Sequence, residues 1–485
     1  MLSSQKLVNK APKVDVLSED DRKEIYSAAL EILQRTGVRF GHEEALSILS
    51  EAGATVDGNV VFIPQNLVEE GLNKAPATVT IYDRLGNTAM RLGGRRNYFG
   101  TGPDAPKVLT LDGDHRKIRR EDVEKVATVV DGLDNLDFVM SLGLIRDEPF
   151  EVTDLYQFQE MLFNTTKPVV FTSQDKRGNK DIFEMAEIAV GGRKELRQRP
   201  FLIHYVEPTA PLDHPKEAIE KLIYQAEERM PVIYTPASSA GATGPMSFAG
   251  IIALSVAESL SGITLAQIIN PGTPVITGGA VSLLDMNNSS FLYGAPETSL
   301  MHVALSEMSQ FLDLPMYGTA GCSDSKVPDN QAALEATFSI ATQSLSGANL
   351  IHDVGCLASG MTASLEQIVM SNEIIGMVKR IMRGVKTSEL EGVSDLIDKV
   401  GPQGNFLSQK DTVDKFKKEI WQPELIDRKN FDEWKDSGAK TMEDRVNELA
   451  REVLQTHEPQ RLDEDKREEI EHLIDHERNN RQVDY

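Results

Sequence analysis

A chain of 485 residues can bury a large core, and its length allows two or three domains. Its 40% hydrophobic and 26% charged residues are those of a globular protein. A formal net charge of −24 excludes nucleic acid and anionic membrane as main partners and is compatible with a cationic ligand.

Two cysteines, Cys322 and Cys356, supply no disulfide framework. The N-terminal stretch has no apolar h-region and no segment reads as a membrane span, so a soluble cytoplasmic protein is expected. Residues 1–15 read as a polar arm. Ser18 and Asp21 form a capping-box pattern that opens a helix with Ile25, Ala28, Ala29, Ile32 and Leu33 on one face and Gly37 as its stop. A second helix covers 42–52, and strands at 60–63, 78–82 and 88–92 surround a short helix at 65–73. Residues 1–95 are thus expected to form an N-terminal α+β layer packed on the rest of the chain.

From residue 96 a rhythm begins. Short apolar segments recur at 98–100, 138–142, 168–172, 201–205, 232–235, 275–278, 316–318 and 350–352. Amphipathic helical patterns lie between most of them, at 120–132, 155–164, 180–190, 215–229, 248–269, 299–311 and 329–346, and the first gap also holds a hairpin turning at Asp112-Gly113. Alternating strand and helix argues for a parallel sheet, and eight such units fit an α/β fold of the (β/α)8 TIM barrel type over 96–385. An open doubly wound sheet is the alternative. Gly100-Thr-Gly102 runs into Pro103 and no G-x-G-x-x-G opens a helix, so dinucleotide binding is not expected. Residues 386–485 read as a helical C-terminal extension in which Trp421 and Trp434 bury apolar surface. The charge-rich end, 463–485, is either a helix with a narrow apolar stripe or a solvated tail.

A barrel's site lies at the carboxyl ends of its strands. That position selects Tyr98, Phe99, Asp104, Arg146, Ser173, Gln174, His204 and Tyr205, and then Glu207, Ser238, Thr277, Tyr317, Cys322, Asp324, His352 and Asp353. Aromatic residues make up only 6% of the chain, yet Tyr98, Phe99, Tyr205, Tyr234, Tyr293 and Tyr317 fall at or near those ends. Aromatic faces attract cations, each by about 0.5–2 kcal/mol, and a cage of them binds quaternary ammonium; the competing reading is barrel filling. His352 can be a base, a donor to a substrate carboxylate, a metal ligand or a structural histidine. Adjacent strand residues point to opposite faces, so only one of His352 and Asp353 should face the interior. The nine histidines are scattered and no C-x-x-C occurs, so no metal site is expected. Cys322 and Cys356 read as small packed residues, with nothing nearby to stabilise a thiolate. Glu207 faces a cation or is a rim carboxylate, and Arg146 pairs with a substrate carboxylate or a surface acid.

Three long blocks carry a resemblance: GTPVITGGAVSLLDMNNSSFLYGAPETSLM (272–301), GCSDSKVPDNQAALE (321–335) and GANLIHDVGCLASGMTASLEQIVMSNEIIGM (347–377). With the loop GATGPMSFAG (241–250) they resemble the trimethylamine:corrinoid methyltransferase family, whose members are barrels that pass an N-methyl group to the cobalt of a separate corrinoid protein. The founding members carry pyrrolysine, which activates trimethylamine. This sequence holds only standard residues and is similar to the non-pyrrolysine branch, which demethylates quaternary amines such as glycine betaine, proline betaine and carnitine.

The resemblance implies a glycine betaine methyltransferase as the leading reading. Its alternatives are another betaine (proline betaine, carnitine or butyrobetaine), a non-catalytic quaternary-amine binder, and a metal-dependent barrel lyase. Tyr98, Phe99 and Tyr205 would then face the cation, with Glu207 adding charge, while His352 and Arg146 hold the carboxylate. His352 and Glu207 are the catalytic candidates. The implied cofactor is a corrinoid (cobalamin) carried by a cognate partner protein, with no metal of the chain's own, and a homo-oligomer is compatible with all of this.

Overall fold

The eight short apolar segments form strands, all parallel and all in one barrel. The computed structural model describes residues 12–287 and 289–481, so most of the polar arm, 1–11, lies outside the described residues. The strands are β1 (Tyr98–Thr101), β2 (residues 138–139), β3 (Val169–Phe171), β4 (Leu202–Val206), β5 (Val232–Tyr234), β6 (Val275–Gly278), β7 (Met316–Thr319) and β8 (Leu350–Val354). Strands β3 to β8 bond in sequence order, and β8 returns to β1 with Leu350 opposite Tyr98. The bridges Gly100–Phe138 and Val139–Val169 seat β2 between β1 and β3 and close the ring. Closure removes the open doubly wound alternative. A helix follows each strand, from Arg120–Gly132 after β1 to Leu365–Met382 after β8, and the hairpin Lys107–Leu109/His115–Lys117 lies in the first connection.

The inner apolar layer is Phe138, Val170, Ile203, Ile233, Ile276 and Leu350, and the antiparallel hairpin Val79–Tyr82/Thr88–Leu92 packs Val79, Ile81, Met90 and Leu92 into the same cluster. Part of the N-terminal layer is therefore the plug of the barrel's amino end, where an eight-stranded interior has to be filled with side chains. The rest is stitched on by backbone: Val38–Phe40 pairs in parallel with Asp213–His214 of the loop after β4. Its helix Glu19–Glu31 starts as expected, with Ser18 Oγ accepting the Asp21 N–H and Asp21 Oδ2 accepting the Ser18 N–H. Gly37 ends the following turn at φ +73, where a Cβ would stand 2.7 Å from Val60.

One expectation fails. The 22-residue helix Phe248–Ile269 is long and apolar enough to cross a membrane by length and composition, yet 83% of its most apolar window is buried inside the protein. Both of its sides are covered. A Cβ on Gly262 would lie 2.1 Å from the Tyr234 ring of β5, and one on Gly71 of the N-terminal helix Gln65–Lys74 would lie 3.2 Å from Thr264 Cα. A helix packed on two faces is apolar all round.

In the C-terminal extension, Trp421 packs 3.4 Å from the position a Cβ on Gly376 would take, and Trp434 Nε1 donates to the Lys440 carbonyl at 3.0 Å. The charge-rich end is a helix, Glu464–Arg481, that buries Ile470 and Ile474; residues 482–485 lie outside the described residues. Two helices, Val393–Val400 and Lys410–Glu419, bury no side chain and leave Ile397, Val413 and Phe416 exposed.

Glu258 is the one acid of the helix Phe248–Ile269. It is fully buried, accepts the Leu212 N–H at 2.6 Å and the Ser238 hydroxyl at 3.3 Å, and burial pushes its carboxyl up to about 7. A carboxyl raised on folding favours the protonated native state, so that stability is lost as pH climbs through the folded value. Glu258→Gln keeps the shape without the charge. Its melting temperature relative to the parent should rise between about pH 6 and pH 8.5, by the equivalent of about 1–2 kcal/mol. Thermal melts across that range test this, and a pH-independent difference would contradict it.

Candidate active site

Alternation along a strand decides what reaches the barrel's carboxyl-end mouth. Ile203 and Tyr205 both belong to the interior cluster, and Glu207 continues that face two residues on. Tyr317 and Leu350 also face inward, which brings Thr319 and His352 inward one step above them. The rings meet there: Tyr205 and Tyr317 have centroids 5.2 Å apart, and Tyr317 stacks on His352 at 4.0 Å. The Tyr317 hydroxyl donates to Met140 Sδ at 3.2 Å, and the Tyr205 hydroxyl donates to Glu207 Oε2.

His352 and Asp353 do not divide between two faces as expected. Asp353 has φ +77 in a register shift of β8 against β1, a conformation that bends the strand out of its alternation. His352 donates Nδ1–H to the Gly318 carbonyl at 2.8 Å, which leaves Nε2 3.4 Å from Asp353 Oδ1. Asp353 also crowds β1: a Cβ on Gly102 would stand 2.4 Å from its Oδ1 and 3.2 Å from Cys356 Sγ.

Asp104 completes a group of three carboxylates. It too takes a left-handed turn, φ +60, and its Oδ1 is a buried atom with no hydrogen-bond partner. Burial first, then the negative charges of Glu207 and Asp353, push its carboxyl up to about 6 against the pull of Lys221. Glu207 is raised by burial and by Asp353, opposed by the Tyr205 hydroxyl and Lys221. It keeps accessible surface although protein surrounds its carboxylate, the mark of a side chain lining a concavity. Asp353 is raised by burial and lowered by His352. Burial is the largest cause of all three shifts and makes each carboxylate costly to ionise.

Tyr293 joins from the loop after β6. Burial raises its hydroxyl well above the usual value, and Asp353, Cys322, Glu207 and Cys356 add to this. Asp324 holds the loop, accepting the Tyr293 and Gly294 N–H groups at 3.0 Å each and the Ser359 hydroxyl at 2.8 Å. Glu335 in turn accepts the Asp324 N–H at 2.8 Å. Burial raises the Cys322 thiol well above its usual value, so no thiolate nucleophile forms there at neutral pH.

The structure brings Tyr205, Glu207 and His352 together and leaves three other expected residues elsewhere. Tyr98 is the first residue of β1 and so sits at the opposite, plugged end, where its hydroxyl accepts the Arg91 N–H at 3.0 Å. Phe99 points out to the helices, with Lys379 Nζ 5.7 Å from its ring centroid. Arg146 is exposed, tied down only by its backbone N–H to the Ile118 carbonyl. His204 faces outward between Ser173 (3.0 Å) and Gln225 (3.1 Å), and burial holds it neutral. Tyr234 faces outward too, bonded to His214. Ser238 donates to Glu258, and Gln174 to Thr153 at 3.0 Å. Tyr293 and Tyr317, which the sequence placed in a possible aromatic cage, and Asp104 and Asp353, which it selected by position alone, also come to this mouth. Tyr317 was legible from strand alternation, whereas Asp104 and Asp353 depend on left-handed turns. Among the described residues, no three His, Cys, Asp or Glu side chains are grouped so as to hold a metal ion.

A ring of tyrosines with three under-neutralised carboxylates is an arrangement that holds a cation. Comparisons with known proteins bear on the family and the fold. A family model described as trimethylamine methyltransferase (MTTB) matches residues 1–482. A glycine betaine methyltransferase of Desulfitobacterium hafniense is 34% identical over 457 residues, covering 93% of this chain and 95% of that protein. A trimethylamine methyltransferase MttB of the same species is 32% identical, covering 92% and 90%. The MttB of Methanosarcina barkeri is 32% identical, covering 96% and 95%. Among solved structures, the monomethylamine methyltransferase MtmB of Methanosarcina barkeri superposes with a TM-score of 0.55 at 13% identity, over 91% of this chain and 88% of that one, which is likeness of fold.

Gly102 offers a test of the crowding around Asp353. Gly102→Ala forces Asp353 to move and should lower stability by about 1–3 kcal/mol, as overpacking does. A melt together with a structure of the variant checks this. An unmoved Asp353 and an unchanged melting temperature would refute the close approach.

Proposed function

The chain belongs to the trimethylamine methyltransferase (MTTB) family, and from that premise we propose that it moves an N-methyl group from a quaternary amine to the cobalt of a corrinoid carried by a partner protein. The observation that carries the reading is the convergence of Asp104, Glu207 and Asp353 with Tyr205, Tyr293 and Tyr317 at one barrel mouth. A fixed positive charge is what these carboxylates lack, and the aromatic faces add about 0.5–2 kcal/mol each.

The chemistry of the leaving group fits the residues at hand. In-line displacement breaks the C–N bond with its electron pair going to nitrogen, while the methyl carbon bonds to the Co(I) acceptor. A quaternary ammonium leaves as a neutral tertiary amine, so no proton and no covalent nucleophile on the chain is required. The protein's share is then positioning and water exclusion, which can supply about 7–11 kcal/mol of a barrier. Tyr205 and Tyr317 orient the ammonium, Glu207 and Asp104 hold its charge, and His352 fixes the Tyr317 face against which it lies. Glycine betaine, the substrate in the name of the 34% identical relative, and the other betaines all present such a nitrogen.

The test mixes the full-length protein with reduced corrinoid and a panel of quaternary amines and follows methyl-Co(III) by absorbance. Methyl-cobalt from at least one of them is expected. None from any, with an active corrinoid control, overturns the activity, and calorimetric binding without transfer would favour a non-catalytic binder. A second outcome concerns pH. Cation binding favours deprotonated Asp104, whose carboxyl lies at about 6 in the free protein. Affinity should therefore fall about tenfold from pH 7 to pH 5 through this one group. Titrations across that range check the slope, and Asp104→Asn should flatten it.

A further inference from the structure

We infer that this mouth selects a quaternary ammonium that carries no carboxylate of its own, a net cation such as choline or tetramethylammonium, over a zwitterionic betaine; Asp104, Glu207 and Asp353 line it and, among the described residues, no guanidinium reaches it. The inference rests on the proposed function and names the substrate class of the same site.

A betaine has two ends. Its ammonium suits the mouth, but its carboxylate must find a donor that is charged, or several that are free. The planar fork of arginine is the usual solution. Arg146, the arginine that sequence placed at the site, stands in solvent with only its backbone engaged. Among the described residues, Lys221 is the one cation that acts on Asp104 and Glu207. Its ammonium donates to the Ser173 carbonyl at 2.9 Å and faces Asp154, Asp175 and Glu217 as well as Asp104. It already serves more negative charge than it balances.

His352 gives no free donor either. Its Nδ1–H is committed to the Gly318 carbonyl at 2.8 Å. When the ring is neutral, Nε2 carries a lone pair that would repel a carboxylate. When the ring is charged, Nε2–H points at Asp353, 3.4 Å away. A substrate carboxylate beside His352 would thus compete with Asp353 for the same proton.

The interior offers a neutral group instead. Thr319 is 6% exposed, lies on the inward face of β7 two residues after Tyr317, and its Oγ1 has no hydrogen-bond partner. A threonine hydroxyl both donates and accepts, so it can satisfy an alcohol, and an unpartnered buried hydroxyl is itself unfavourable until something does. Choline and glycine betaine make the comparison sharp. They have nearly the same size and the same trimethylammonium group, and differ in ending in a hydroxymethyl or a carboxylate.

The deciding experiment measures methyl-Co(III) formation by the full-length protein from choline, tetramethylammonium and glycine betaine under one set of conditions. We expect kcat/KM for choline or tetramethylammonium at least tenfold above that for glycine betaine. Glycine betaine equal to or better than both overturns the inference and leaves the methyl-transfer reading intact. If none of the three is demethylated, the wider amine panel decides the methyl-transfer reading, and calorimetry with the same three compounds still decides the charge preference: tenfold tighter choline supports it, while tighter betaine or no binding of any overturns it. Asp104→Asn adds a readout that a merely structural role would not move. It should shrink the choline-to-betaine ratio severalfold by relieving repulsion of the betaine carboxylate, whereas equal losses for both compounds would count against a role in charge selection.

Discussion

Everything at this mouth depends on one steric constraint: in a closed parallel barrel, alternate side chains of every strand must go inside. The strands here are short, so only two or three positions on each can face the interior. That is why Tyr205 and Glu207 arrive together on β4, Tyr317 and Thr319 on β7, and Leu350 and His352 on β8. It is also why Tyr98 and Phe99, next to one another at the start of β1, contribute to the plug and to the outer wall and not to the mouth.

Two departures from that rule build the acidic side of the site. Asp104, in the loop after β1, and Asp353, at the irregularity of β8, hold φ +60 and φ +77, and Asp104 feels the charges of both Glu207 and Asp353. Non-glycine residues in this region are held there by their surroundings at a cost of about 1–3 kcal/mol each. Burying the three carboxylates raises all of them, and mutual repulsion adds to this for Asp104 and Glu207. Under the proposed function the ammonium of the substrate would offset this cost.

The outer structure packs and hydrogen-bonds around that mouth. The hairpin Val79–Leu92 fills the far end, and the helix Phe248–Ile269 is clamped between the N-terminal layer and the barrel wall by glycines at Gly71 and Gly262. The Asp324–Glu335 chain of hydrogen bonds fixes the loops that carry Tyr293 and the cysteines. Supports of this kind are what the proposed methyl transfer would draw on, since it would ask for placement and not for a reactive side chain.

The sequence by itself determined the barrel, its eight strands, the hairpin at Asp112-Gly113, the helix caps at Ser18 and Gly37, and the family, because periodicity, turn chemistry and long motifs are local properties. It also pointed to Tyr205, Glu207 and His352, which lie on regular strand ends where counting by two works. Only the tertiary structure decided which end of β1 faces the mouth, that Arg146 stays in solvent, that Phe248–Ile269 is a core helix, and that Asp104 and Asp353 join Glu207. Those outcomes depend on left-handed turns and on packing between segments far apart in the chain, and neither leaves a periodic trace in the residues that take part.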